Sequence, residues 1–249
     1  MEMAATKTDD EQAPTQDRVI ARLLTDDIVE WRIPPGSWLR EREIAARFGV
    51  SHAPVREAFR HLASIGLVKV VPWRGAYAID VDDHGADEVY ELWKALFGVV
   101  CRLACTAMSD RDGRELMHRL IEYKDVTERT TNSAEHLRVS NRIGRFIAKR
   151  SNAPMALELL DRLALLARWQ HNVYTDEFVA THGEGEVGRR SAVLYEQLCR
   201  HIVAREPDDA DRVARDLIAT SQQNFAEALA EYKARRTKAK PGRRRARAS

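Results

Sequence analysis

Three basic side chains recur every four residues in the first third of the chain: His52, Arg56 and Arg60. If this segment is helical, that spacing places them on one stripe of the helix. The apolar residues between them can face inward, namely Val55, Phe59 and Leu62. A short helix with polar side chains near its N-terminus can read base edges in the major groove of DNA. We therefore interpret this segment as a DNA recognition helix.

The residues before the stripe predict a helix-turn-helix. A short helix from about Glu41 to Phe48 is followed by Gly49, which permits the positive φ of a tight turn between helices. Ser51 can cap the next helix, and Pro54 is tolerated in its first turn. We expect that next helix to run from about Ala53 to Ser64.

A helix before this motif and a hairpin after it complete the predicted domain. Apolar residues recur at helical spacing from Asp17 to Trp31, and Pro34-Pro35-Gly36 then ends the helix. Strands at Leu67–Val71 and Ala76–Val81 flank the turn-like Pro72-Trp73-Arg74-Gly75. Three helices and a hairpin over residues 16–81 predict a winged helix-turn-helix.

The alternative interpretation is an ordinary helical hairpin whose basic face is solvated. The turn glycine, the capped helix and the following hairpin together favour the DNA-binding interpretation. Arg56 could contact guanine or phosphate, and Arg74 at the hairpin tip could enter a minor groove or touch phosphate.

This segment resembles the GntR family of bacterial regulators, in particular its FadR-like subfamily. The resemblance rests on these residues: Pro34-Pro35-Gly36, Leu39-Arg40-Glu41, Val50-Ser51, Pro54 to Ala58, Gly66-Leu67-Val68, Pro72 and Arg74-Gly75. It implies a homodimer that binds double-stranded DNA at a palindromic operator, usually as a repressor released by a metabolite. It also implies DNA contacts from Arg42, Ser51, His52, Ala53, Arg56 and the wing near Gly75. One departure is His52, where members usually carry arginine, so operator preference could differ there or binding could be weaker.

Beyond residue 81 the sequence predicts only helices. Helical periodicity covers six segments: Asp87–Met108, Arg111–Thr130, Ser133–Lys149, Met155–Tyr174, Glu186–Ala204 and Asp208–Ala234. The expected fold is thus mainly α: the winged domain at 16–81 and a bundle of about six or seven helices at 82–232. We expect this bundle to bind an effector and to dimerise.

Both ends of the chain are expected to be disordered, over residues 1–15 and 233–249. The final segment holds nine basic residues and no acidic one. It could add salt-dependent attraction to phosphate, or it could only aid solubility. The sequence lacks a secretory signal and an apolar run long enough for a membrane span, so we expect a cytoplasmic protein without a membrane partner.

The predicted bundle resembles the ligand-binding domain of FadR-like regulators, known as the FCD domain. The matching landmarks are Tyr90-Glu91-Leu92, Ser151-Asn152-Ala153-Pro154 and the segment Glu206 to Ala210. Many members bind a divalent metal there through one aspartate and three histidines. Counted from these landmarks, the four positions fall on Val139, Ile143, Tyr195 and Leu217.

Valine, isoleucine and leucine supply no nitrogen, oxygen or sulfur donor. We therefore expect no metal, no cofactor, and a dry, apolar cavity. Its candidate lining comprises Trp93, Phe97, Val139, Ile143, Trp169, Tyr195 and Leu217. The cavity could hold a small apolar ligand such as an acyl chain, or its own side chains could fill it. Aromatic residues at this spacing are also common in plain helical cores.

Three functional hypotheses remain at this stage. The first is a dimeric regulator whose DNA affinity responds to a small ligand. The second is an architectural DNA-binding protein whose bundle only dimerises. The third is an enzyme, but the sequence shows no nucleophile–base pair, phosphate loop or metal-ligand spacing that would support it. Cys101 and Cys105, four residues apart on an apolar helix, are expected to pack in the core.

Overall fold

The computed structural model describes residues 15–80, 86–130, 133–173 and 184–238. The chain divides into two compact units, residues 1–80 and 81–249. Each unit is described by itself below. The segments 1–14 and 239–249, where we predict disorder, lie outside the described residues.

The N-terminal unit contains three helices and a small sheet. In chain order the elements are α1 (Gln16–Val29), β1 (Trp38–Leu39), α2 (Glu41–Phe48), α3 (His52–Ser64), β2 (Val68–Val71) and β3 (Gly75–Ala78). The strands are antiparallel in the order β1-β3-β2. Tyr77 on β3 pairs with both Trp38 on β1 and Lys69 on β2. The winged helix-turn-helix is therefore confirmed, with one short strand, β1, that the sequence did not predict.

The turn between α2 and α3 has the predicted left-handed residue. Gly49 ends α2 with φ of 66°, and the amide of Val50 donates to the carbonyl of Ala45 at 3.1 Å. Ser51 occupies the N-cap position of α3 in an extended conformation. Its side chain makes no capping hydrogen bond, so the expected side-chain cap is wrong and only the backbone geometry of a cap is present.

The inward face of α3 organises the core of this unit. Val55, Phe59 and Leu62 are at most 1% exposed. Leu24 and Ile28 of α1 are fully buried in the same core. A large apolar side chain buried to this extent stabilises a fold by about 1.5–3 kcal/mol. This packing fixes the rotation of α3 about its axis and leaves the basic stripe facing outward.

The C-terminal unit is helical throughout its described residues. Its elements are α4 (Ala86–Ala107), α5 (Asp110–Arg129), α6 (Ser133–Arg150), α7 (Pro154–Gln170), a 3₁₀ turn (His171–Val173), α8 (Glu184–Ala204) and α9 (Pro207–Lys238). The predicted helical bundle is therefore confirmed. α7 ends four residues before the predicted Tyr174, because the chain tightens into the 3₁₀ turn.

The last helix is longer than the sequence predicts. The predicted disordered tail begins at Lys233, whereas α9 continues to Lys238 in the structure. The ion pair from Arg235 back to Glu231, at 3.1 Å and four residues apart, supports the added turns. A like-charge run can thus remain helical while acidic partners precede it by one turn.

The three cysteines lie in the core of the C-terminal unit. Cys101, Cys105 and Cys199 are buried and unbridged. Burial raises the pKa of the Cys199 thiol to about 12, so this thiol stays protonated and behaves as a small apolar group. No described helix is long and apolar enough to cross a membrane.

Gly75 and Gly49 permit a matched test of the wing. Both have positive φ, so alanine is strained at either position. At Gly75 a Cβ would also lie 2.2 Å from the carbonyl oxygen of Leu39, whereas at Gly49 it would meet nothing within 4 Å. We expect Gly75→Ala to lower the free energy of unfolding more than Gly49→Ala, by about 1–3 kcal/mol. Chemical denaturation measures both, and equal losses would contradict the close packing of β1 on Gly75.

Candidate nucleic-acid interface

A concave surface separates the exposed face of α3 from the β2–β3 hairpin. Its volume is about 900 Å³. Six of the predicted DNA-contacting residues line it: Arg42, His52, Arg56, Arg60, Arg74 and Gly75. The first five present exposed, basic side chains to solvent. We name this surface the basic groove.

Ser51 and Ala53, the other two predicted contacts, are exposed at the start of α3. Residues at this end of a recognition helix approach the DNA most closely. Gly75 differs from the other predicted residues because it is buried against the backbone of Leu39. Its part in the groove is to let the hairpin fold closely against β1.

An acidic residue that sequence reasoning missed orders the basic groove. The carboxylate of Glu41 lies 3.4 Å from Nη1 of Arg56 and 3.6 Å from Nδ1 of His52. Glu41 begins α2, eleven residues before His52, so only the angle between the helices brings them together. The pairing holds both α3 side chains near the N-terminal end of α2.

Arg60 is also paired, with Glu57 one turn before it. Arg60 and Glu57 are both more than half exposed, so this pair contributes little to stability. A DNA phosphate could replace Glu57 as the partner of Arg60 at little cost.

The wing carries a cation held by an aromatic ring. The guanidinium carbon of Arg74 lies 4.6 Å from the centre of the Trp38 ring. Trp38 in turn contacts Tyr77 edge to face, with ring centres 5.5 Å apart. Trp38 lies on β1, the strand that the sequence did not reveal, so this support for Arg74 was also missed. The contact holds the positive charge of Arg74 beside the groove.

Asp27 joins α1 to α2 inside the N-terminal unit. Its carboxylate accepts from Nε of Arg32 at 2.7 Å and pairs with Nη2 of Arg47 on α2 at 2.6 Å. Burial alone would raise the pKa of Asp27, but the hydrogen bonds from the two arginines outweigh it and lower the pKa. This ionised contact fixes α2, and hence Arg42 and Glu41, relative to α1.

The C-terminal unit contains a separate pocket of about 360 Å³. Three of the predicted lining residues border it, namely Trp93, Phe97 and Tyr195. The other four predicted residues do not border it and are buried in the core: Val139, Ile143, Trp169 and Leu217. They lie on inward faces of their helices, which sequence periodicity cannot distinguish from a cavity wall.

The pocket is more polar than predicted. Its lining includes Ser140, Asn141, Arg145, Asp161 and Arg168. Arg145 and Asp161 form an ion pair of 3.2 Å, and both are exposed. The lining therefore combines aromatic and charged side chains, whereas the sequence predicts an apolar one. Asn141 and Arg145 lie two residues from Val139 and Ile143, and a shift of two positions on a helix turns a side chain to another face.

The residues at the four family metal positions do not fit a metal ion. Val139, Ile143 and Leu217 are buried apolar side chains, and Tyr195 supplies a phenol. Burial raises the pKa of this phenol above its ordinary value, which keeps it protonated. Its hydroxyl lies 3.5 Å from the carbonyl oxygen of Ser140. These four positions offer no ionised ligand.

One cluster of possible metal ligands occurs elsewhere in the described chain, at the corner between α8 and α9. It comprises His201, Glu206 and Asp209. His201 Nδ1 lies 2.6 Å from Glu206, and Asp209 accepts from Arg212 at 2.7 Å. His201 thus contacts the turn after α8, and Asp209 already has a partner within α9.

Comparison with known proteins finds a family match within the N-terminal unit. Residues 16–77 match the model of the bacterial regulatory proteins of the gntR family. The matched segment contains the whole basic groove, from Trp38 to Gly75.

Curated relatives match part of this chain. The HTH-type transcriptional repressor RspR of Escherichia coli is 35% identical over 118 residues, 47% of this chain and 52% of RspR. A probable D-xylose utilization operon transcriptional repressor of Paenarthrobacter nicotinovorans is 40% identical over 78 residues, 31% of this chain and 34% of that protein. The chain thus spans about half the length of RspR.

Solved structures extend the likeness in fold to the helical unit. E. coli McbR/YncC superposes with a TM-score of 0.65 at 20% identity, covering 88% of this chain and all (100%) of that chain. A GntR regulator from Rhodococcus sp. RHA1 gives a TM-score of 0.56 at 20% identity, covering 89% of this chain and 99% of that one. A winged helix-turn-helix followed by a helical bundle is therefore a fold that solved structures also contain.

The Asp27 contact allows a test of how the N-terminal unit holds α2. We expect Asp27→Asn to lower the free energy of unfolding by about 1–3 kcal/mol at neutral pH, because it leaves two arginines without their shared anion. Asp26→Asn removes a neighbouring, exposed carboxylate as a control.

The same contact predicts a pH dependence. Because the folded-state pKa of Asp27 is lowered from its ordinary value of 3.8, its contribution is fully present above that value and is lost as pH falls below it. The difference in melting temperature between the parent and Asp27→Asn should therefore shrink in acid. A constant difference from neutral to strongly acidic pH would contradict the ionised contact.

Proposed function

We propose that this chain is a DNA-binding transcriptional regulator that binds a palindromic operator as a homodimer. The observation that carries the proposal is the basic groove, where α3 projects arginines from its exposed face while its opposite face is buried in the core. The first turn of α3 would enter the major groove, with His52, Ala53 and Arg56 nearest the bases. Arg42 and Arg60 would contact phosphates and set the register on the duplex.

Dimerisation follows from the chemistry of the operator. One recognition helix of this length reads only a few base pairs, so an operator needs two half-sites related by a two-fold axis. The sign of regulation is proposed from the relatives: RspR and the Paenarthrobacter protein are both described as repressors. We propose repression for this chain as well.

Glu41 has a place in this mechanism as a positioning residue. In the free protein it pairs with both Arg56 and His52. These contacts limit the rotamers of both side chains before DNA binds, and Glu41 can keep its contact with His52 when Arg56 reaches guanine. Preorganised side chains lose less conformational entropy on binding.

The test of DNA binding starts from duplexes that the parent protein selects from a randomised library. If Arg56 reads a base, we expect Arg56→Ala to lose about 1–3 kcal/mol of binding free energy. The variant should also lose its sequence preference at one operator position. If Arg56 contacts phosphate instead, the variant should bind all duplexes more weakly by a similar factor. The slope of log affinity against log salt concentration should then fall by about one.

Arg22→Ala is the matched control for this test. Arg22 is exposed on α1 and does not line the basic groove, so the change removes the same charge from a different surface. Electrophoretic mobility or fluorescence anisotropy measures both variants. Unchanged affinity of Arg56→Ala for every duplex would overturn the proposed role of the basic groove.

We further propose that the C-terminal unit is an FCD-like effector domain of the FadR-like subfamily. Its pocket suits a small amphipathic molecule, such as an acyl group with an anionic end. The apolar part would pack on Trp93, Phe97 and Tyr195, and the anionic end would lie near Arg145. This recognition uses side chains alone and requires no metal.

Filling the pocket tests this second part. A Cβ on Gly144 would lie 3.8 Å from the Phe97 ring, so a larger side chain there occupies pocket space. Native mass spectrometry of the parent should show a dimer carrying a co-purified small molecule, and Gly144→Leu should lose that mass while DNA binding persists. Lys149→Leu, on the exposed side of α6, is the control. If the parent carries no small molecule and no metabolite extract alters its DNA binding, the result would favour the effector-independent architectural protein instead.

A further inference from the structure

The tip of the wing contains a tryptophan in an unusual backbone conformation. The amide of Arg74 donates to the carbonyl of Val71 at 3.1 Å, which closes a four-residue turn. Pro72 occupies the second position, and Trp73 occupies the third with φ of 65°. These features are those of a type II turn, whose third position is ordinarily glycine or asparagine. A tryptophan there is strained, because its Cβ crowds the backbone.

The Trp73 side chain is also fully exposed. An indole ring is among the largest apolar groups a protein can place in water, and burying it would ordinarily stabilise the fold. Trp38, on the neighbouring strand β1, shows the contrast, because its ring contacts both Tyr77 and Arg74. Backbone strain and exposure both oppose the stability of Trp73 in the free protein, which points to a partner that receives the ring.

The charges around Trp73 indicate what kind of partner this is. Trp73 borders the basic groove together with Arg42, Arg56 and Arg74. An apolar protein surface would not match so many cations beside a single aromatic ring. A polyanion that offers flat, stackable faces between its charges does match this arrangement, and duplex DNA has both properties.

We propose that Trp73 is a wedge that enters the minor groove next to the segment read by α3 and bends the duplex. The inference rests on the proposed function and adds to it a determinant of DNA shape. The indole ring stacks against a partly opened base step, while Arg74 beside it neutralises the nearby phosphates. Aromatic and aliphatic wedges of this kind kink DNA by roughly 20–90°.

This wedge predicts a preference in the operator flanks. Pyrimidine–purine steps such as TA and CA/TG are the easiest to unstack. Selected duplexes should therefore be enriched in such steps at the two outer positions where the wings reach, although no side chain hydrogen-bonds to those bases.

The test compares Trp73→Asn and Trp73→Phe with the parent protein on duplexes that the parent selects. Asparagine tolerates the left-handed conformation, so Trp73→Asn should fold at least as stably as the parent. Its affinity should nonetheless fall by about fivefold or more, as expected from the loss of one stacking contact. Trp73→Phe keeps an aromatic ring and should retain most of the affinity. Leu23→Asn, which changes an exposed apolar residue on α1, is the matched control.

Two further measurements separate a wedge from a general surface effect. End-to-end energy transfer in a labelled duplex should report a bend with the parent and a straighter duplex with Trp73→Asn. A 2-aminopurine placed at the flanking step should brighten with the parent, because it becomes unstacked, and should stay dim with Trp73→Asn.

Equal affinity and equal bending by the parent and Trp73→Asn would overturn the wedge while leaving the proposed function intact. Loss of self-association, with DNA binding unchanged, would show that the ring serves a protein partner and would overturn it too. A parent that selects no duplex at all, or whose Arg56→Ala variant binds as well as the parent, would instead overturn the proposed function.

Discussion

The burial of one face of α3 is the constraint on which the rest of the N-terminal unit depends. Phe59 and Leu62 are held in the core against α1, so the helix cannot rotate. Because the helical repeat is 3.6 residues, fixing this face also fixes the direction of every other side chain on the helix. Arg56 and Arg60 are exposed as a consequence of packing on the opposite side. A basic groove with defined geometry thus follows from ordinary hydrophobic burial.

Electrostatic contacts then fix the position of α2 and of the groove side chains, which hydrophobic burial alone does not determine. Asp27 anchors α2 through an ionised contact between its buried carboxylate and the half-exposed Arg47. Glu41 instead pairs with Arg56 at an exposed site where water screens the attraction. The first contact is suited to holding the fold, and the second can be exchanged for DNA at small cost. In the wing, the Trp38 ring supports Arg74, whereas the turn leaves Trp73 exposed to solvent.

The helical unit shows where periodicity stops being informative. Its helices were predictable because each carries an apolar stripe that recurs every three to four residues. Its pocket was only partly predictable: Trp93 and Tyr195 border it, whereas Ile143 lies in the core and Arg145 borders the pocket instead. In the sequence, all four of these residues lie on or beside the apolar stripe of a helix. The tilt of neighbouring helices, which no single helix encodes, decides which of them meets a void.

The amino-acid sequence alone determined the winged helix, the helical bundle and the basic stripe of α3, because these depend on local signals: apolar spacing, a turn glycine and a proline near a helix start. Tertiary structure alone decided which distant residues support Arg56 on that stripe and Arg74 on the wing. Glu41 meets Arg56 across fifteen residues, and Trp38 meets Arg74 through a two-residue strand too short to leave a sequence pattern. Such contacts depend on the angles at which separate elements pack, and those angles arise only when the whole core forms.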